Sequence, residues 1–134
     1  MAGGLSNYLA DKINDGIHGG PDYTHLTTTY FALMTVMPTA SGGGTEVSGG
    51  SYARKSFTNN STNWPASSGQ TKTNANVIDF GTATANWGTI LGVAEYDASS
   101  GGNLLAFGPL TSSRIVNNGD SFQIPVSGAT YTMA

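Results

Sequence analysis

Apolar residues recur along this chain in two rhythms, one brief and helical, the other long and strand-like. Leu5, Tyr8, Leu9 and Ile13 fall within roughly a 140° arc at 100° per residue, while Asn7, Asp11 and Lys12 point the other way. Ser6 can act as N-cap and Gly16 can close the C-terminal turn, so the spacing predicts one short amphipathic helix. A helix of about three turns is marginal alone in water and must pack on something.

After Gly19, Gly20 and Pro21 the period becomes two. Residues 27–37 set Tyr30, Ala32, Met34 and Val36 against Phe31 and Leu33, which predicts a strand covered on both faces. Pro38 ends it, and a Gly-rich connection occupies 39–51. Further strands are predicted at 51–57, around Val77, Ile78 and Phe80, and at 87–96, 104–110, 114–116 and 121–126. Asn117-Asn118-Gly119-Asp120 is the clearest hairpin signal, because Asn-Gly suits a type I′ turn. The result is an all-β expectation: an antiparallel β-sandwich or barrel with one short N-terminal amphipathic helix. Residues 1–20 are expected to form the helix and arm, and 21–134 a single β-sandwich domain.

Composition narrows the function. Only 10% of residues are charged, against roughly 25% in a typical soluble domain, and 61 of 134 are Gly, Thr, Ser or Asn. Two Trp, six Tyr and five Phe still supply the apolar surface that a disordered linker lacks. A formal charge of −3 provides no basic field for a phosphate backbone, so no nucleic-acid partner is expected. The absence of Cys removes disulfides, thiolate metal sites and cysteine nucleophiles together. No run approaches the ~20 apolar residues of a membrane helix, so no membrane partner is expected. The opening residues carry acids where a signal peptide is apolar, which implies synthesis in the cytoplasm, or in that of a host.

Candidate chemistry is sparse. His18, Asp22 and His25 are possible zinc or nickel ligands, but their spacing matches no zinc signature and Gly-Gly-Pro separates them. No G-x-S-x-G elbow is present, and both histidines sit in one loop. Glu46, Glu95 and Asp97 are the acids available for a glycosidase pair, yet acids on a strand such as Glu95 and Asp97 ordinarily point to water. No metal, no cofactor and no enzymatic activity are expected. Arg54 and Lys55 are the one adjacent basic pair, better suited to an inter-subunit salt bridge than to nucleic acid. Trp87 opens an apolar strand and is expected in the core. Trp64, beside Pro65 in a polar loop, suits either a sugar-stacking or interface anchor on the surface or a ring folded back over its own sandwich.

Several longer stretches carry a resemblance. MAGGLSNYLADKIND at the start, YFALMTVMPTASGGGTEVSGGSYAR (30–54), ATANWGTI (83–90), YDASSGGNLLAFGPL (96–110) and VNNGDSFQIP (116–125) occur in an order and spacing similar to a family of small tailed-bacteriophage virion proteins. Members are loosely labelled tail-fibre or structural, and the resemblance implies a virion location and no catalytic residues. Two functions follow as expectations. The first is a capsid decoration (cement) protein, a homotrimer that stabilises the head by docking Leu5, Tyr8, Leu9 and Ile13 on the major capsid protein or another virion protein. The alternative is a tail- or fibre-associated structural protein, with host-glycan binding as an added role.

Overall fold

The computed structural model describes residues 4–133; residues 1–3 of the expected arm and residue 134 lie outside it. The chain runs β1 (Gly4–Leu5), α1 (Asn7–Ile17), β2 (Thr28–Val36), β3 (Thr45–Glu46), β4 (Lys55–Thr58), β5 (Thr71–Thr73), β6 (Ile78–Thr82), β7 (Gly88–Tyr96), β8 (Leu104–Val116), β9 (Ser121–Ile124) and β10 (Thr130–Thr132). The main sheet is antiparallel, in the order β1-β8-β7-β2-β3, and β4 pairs with β2 on the same side as β3 but further along. Two ribbons, β6–β9 and β5–β10, complete the fold. The main sheet stays open, so the all-β expectation is met as a sandwich and not as a closed barrel.

Alternation along β2 explains the layers. Phe31 and Leu33 point to the inner face, where they join Ile78 and Phe80 of β6, Phe122 and Ile124 of β9, and Ile90, Val93 and Val116 in one core. Ala32 and Met34 point outward and join Ala94 and Leu104, covered by Met37, Tyr96 and Phe107. Both faces of β2 are thus buried, as its two apolar sets require. Gly92 has no room for a side chain: a Cβ there would collide with the Met37 sulfur and the Gly108 carbonyl. Met37 can therefore lie flat on the centre of the sheet.

The helix begins as its sequence dictates, with the Ser6 hydroxyl accepting from Leu9 N–H at 3.1 Å. It ends later than expected. Gly16 packs against Tyr23, the helix continues to Ile17, and Gly19, at φ +92°, takes the left-handed position. Leu5 belongs to β1 instead, paired with Ala106, while Ser6 N–H donates to Leu105 O (2.8 Å) and Asn7 N–H to Ala40 O (2.9 Å). These bonds tie the start of the helix to the chain's own sheet and to the 37–44 connection.

The Asn117–Asp120 hairpin is corrected. Gly119 has positive φ (+90°) but Asn118 does not, so the turn is not type I′. Asn118 N–H donates to the Asn86 side chain (2.8 Å) and Gly119 N–H to Ala83 O (2.8 Å). Held to the 83–86 loop, the turn carries the chain from the main sheet across to the second layer, where β9 pairs with β6 and not with β8. The two strands expected at 104–110 and 114–116 are one, bulged between its pairings with Gly92 and Ile90.

Candidate functional site

An open groove of about 520 Å³ lies where α1 meets the inner face of the main sheet. Leu5 and Leu9 form one wall; Leu105 and Ala106 of β8 lie beside them. Tyr23, His25 and Leu26, from the connection after α1, form a second side, and Asn60, Ser61, Trp64 and Ala66, from the loop after β4, a third. Lys72 of β5 and Tyr131 of β10 close it. Most of this lining is apolar, with a small polar floor, the usual make-up of a small-molecule site.

The floor is built from alternation. Val93 faces the core, so Glu95, two residues on, faces the same way, opposite Phe31. The expectation that Glu95 points to water is therefore corrected. Tyr131 O–H donates a hydrogen bond to Glu95 Oε2. Beside it, Asn59 is fully engaged: its amide donates to Leu26 O (3.0 Å) and Thr29 Oγ1 (3.3 Å), and its Oδ1 accepts from the Trp64 indole (3.0 Å). Burial raises the Glu95 carboxyl above the usual carboxylate range, against opposing hydrogen bonds from Tyr131 and Thr29. The Tyr131 phenol is raised as well, by burial and by the neighbouring carboxylate.

A raised carboxyl pKa means the folded state holds that proton more tightly than the unfolded chain. Its contribution to stability is fully present below the unfolded glutamate pKa and is lost as pH rises through the folded value. Glu95→Gln keeps an acceptor for Tyr131 and cannot ionise. Urea unfolding of both proteins between pH 4 and 8 should therefore show the variant gaining on the wild type as pH rises. Parallel curves would contradict a desolvated Glu95.

The residues singled out by sequence fall in separate places. Leu5 and Leu9 line the groove, Ile13 is partly buried, and only Tyr8 of the expected docking set is exposed, at 39%. Trp64 is 8% exposed, packed edge-on against Phe57 and Tyr131. The surface-anchor reading is corrected: the polar loop around Trp64 folds inward because its indole N–H finds Asn59 and its ring finds three aromatic neighbours, Phe31 included. Trp87 is in the core, as expected. Lys55 is exposed on β4.

Arg54 is corrected too. Its guanidinium pairs within the chain, with Nη2 2.9 Å and Nε 3.0 Å from the two Glu46 oxygens. Nη1 donates to Ala98 O (2.9 Å) and Gly101 O (2.8 Å), and the group lies 3.8 Å over the Tyr96 ring. Tyr52 O–H donates to the same Glu46 (2.7 Å) and accepts from Leu33 N–H (2.9 Å); burial and the Glu46 bond hold its proton far above the ordinary tyrosine range. His18 meets Asn14 O, His25 lines the groove, Asp22 is exposed, and no cluster of three metal-ligand side chains forms among the described residues. Sequence reasoning missed the groove altogether, although the period-two step from Val93 to Glu95 was available to find its acid.

No helix among the described residues is long and apolar enough to cross a membrane. No curated protein matches the chain. Residues 4–132, nearly the whole chain, match the family described as podophage GP4 fiber I protein gp80. That span takes in both sheet layers, the helix and the groove, and on this correspondence the chain belongs to the podophage GP4 fiber I protein gp80 family, a family of phage structural proteins.

Proposed function

We propose that this protein is a non-enzymatic structural component of the podophage tail-fibre apparatus, present there as a homo-oligomer, with a trimer the expected form. The family correspondence over residues 4–132 carries this reading, and its description favours the fibre over capsid decoration. The acids support a role without catalysis: Glu46 is held by Arg54 and Tyr52, Asp97 clamps Asn103, and Glu95, bonded by Tyr131, has no second acid beside it on the groove lining. Self-association is favoured by a surface with few charges to desolvate and by exposed Val36, Leu91 and Ile115 on three adjacent strands of the main sheet. A second virion protein meeting α1 would contact Tyr8 and Ile17, which face outward, and not Leu5 or Leu9.

Location is tested on purified particles by quantitative mass spectrometry with immunogold labelling. A few to a few dozen copies, labelled at the tail, are expected. Hundreds of copies on the head would replace this reading with capsid decoration. Light scattering of the isolated protein at micromolar concentration should give a multiple of 13.7 kDa, and a monomer would refute the homo-oligomer.

A further inference from the structure

We propose that the groove beneath α1 binds an organic ammonium ion carried on an apolar body, with Glu95 as its counter-charge. The inference goes beyond the fibre reading and does not depend on it. Three observations carry it. The space, about 520 Å³, is in the range of small-molecule sites and is walled by Leu5, Leu9, Leu105 and Ala106, so an apolar body fits it. Its floor holds one acidic side chain, with tyrosine and tryptophan rings (Tyr23, Trp64, Tyr131) on the lining, the combination that recognises ammonium groups.

The third is the missing partner. A carboxylate drawn from water is costly unless a cation accompanies it: alone it holds its proton, and a cation beside it favours the ionised form. Among the described residues the ion pair found is Arg54–Glu46; Lys72 and His25 line the groove but neither lies within ion-pair distance of Glu95. Tyr131 gives Glu95 a neutral hydrogen bond, which orients the carboxylate without balancing its charge. Thr29 adds a second neutral hydrogen bond to Glu95, and Asn59 is occupied with Thr29, Leu26 O and Trp64. The charge to be matched in the groove floor is therefore the acid's. A bound ammonium would supply it, while its apolar part covers Leu9 and Leu105.

The full-length protein is titrated with 2-phenylethylamine and, in parallel, with the uncharged 2-phenylethanol, by calorimetry and by amide chemical shifts. The amine should bind at about millimolar or tighter, with shifts centred on residues 23–26, 59–66, 95 and 131, and the alcohol at least about tenfold more weakly. Glu95→Gln should weaken the amine by at least about tenfold and leave the alcohol unchanged, and Leu9→Trp, which fills the groove, should abolish both. Equal affinity for amine and alcohol in the wild type, full amine affinity in Glu95→Gln, shifts mapping elsewhere, or no saturable amine binding would each overturn the proposal. The wild-type comparison of amine with alcohol decides the question even where a variant fails to fold.

Discussion

Asn74→Ala is expected to cost the domain at least about 3 kcal/mol of unfolding free energy. Asn74 is completely buried. Its amide donates to Asn76 O and Pro125 O, both at 2.9 Å, and its Oδ1 accepts from Ala129 N–H at 2.9 Å. One side chain thus satisfies three backbone groups from two segments, joining the end of β5 to the turn between β9 and β10. Truncation removes all three bonds and leaves Asn76 O and the buried Ala129 N–H unmatched, while Pro125 O keeps the Gly128 N–H (2.9 Å); each unmatched group costs about 1–3 kcal/mol. The backbone bonds Asn74 N–H to Ala129 O and Ser127 N–H to Asn74 O remain, so the local path of the chain should persist in the folded variant. Asn74→Asp has nearly the same size but loses both donors and sets a carboxylate against two carbonyls, so it should be worse at pH 7 than at pH 4. Asn76→Ala, whose side chain bonds Asn63 at the surface, should cost under about 1 kcal/mol. Urea unfolding of the three variants checks the order; a loss below 1 kcal/mol in Asn74→Ala would show that water replaces the side chain.

What the sequence conveys and what it hides separate along physical lines. Local rules worked where one residue decides the outcome. Ser6 caps the helix because a hydroxyl at that position meets an orphan N–H, and β2 is covered on both faces because both of its residue sets are apolar. They failed where tertiary contacts choose between equal local options. Asn118-Gly119 forms a turn as expected, but bonds to Ala83 and Asn86 decide that it crosses between sheets. β5, with the residues Thr71-Lys72-Thr73, has no apolar alternation to mark it, and exists because Tyr131 and its neighbours pair beside it. Residue type alone points Arg54 outward and leaves Trp64 open between surface and interior. Their partners, Glu46 with the 98–101 loop and Asn59 with the Phe31–Phe57 cluster, stand in the sequence at separations no periodicity connects. The groove is the extreme case: its lining comes from β1, α1, β2, β5, β7, β8, β10 and two loops, so only the closed fold brings it together.

Arg54→Met is expected to cost about 3 kcal/mol, the lower end of the range for breaking a buried pair, since Glu46 keeps 24% of its exposure while the Arg54 side chain keeps 8%. Met fills much of the same volume, so the loss reports the guanidinium and not a cavity. Three things fail together: Glu46 retains only the Tyr52 hydroxyl, the carbonyls of Ala98 and Gly101 lose their donor, and Tyr96 loses the cation above its ring. Arg54→Lys restores the charge but cannot engage both Glu46 oxygens and both loop carbonyls at once, so it should recover only part of the loss. The double variant Arg54→Met with Glu46→Gln should be more stable than the sum of the single changes, because the unpaired carboxylate is gone. The damage should also be local. The β7–β8 hairpin is still clamped by Asp97, which accepts from Asn103 N–H at 2.7 Å and from its amide at 2.8 Å, so the hairpin should remain formed while its 98–101 tip exchanges faster. Amide exchange in the groove, on the opposite face of the main sheet, should not change. Equal acceleration in both regions would mean that Arg54 stabilises the whole sandwich, and not this loop against the sheet edge; no change in either, with an unfolding loss under about 1 kcal/mol, would place the pair among ordinary surface salt bridges.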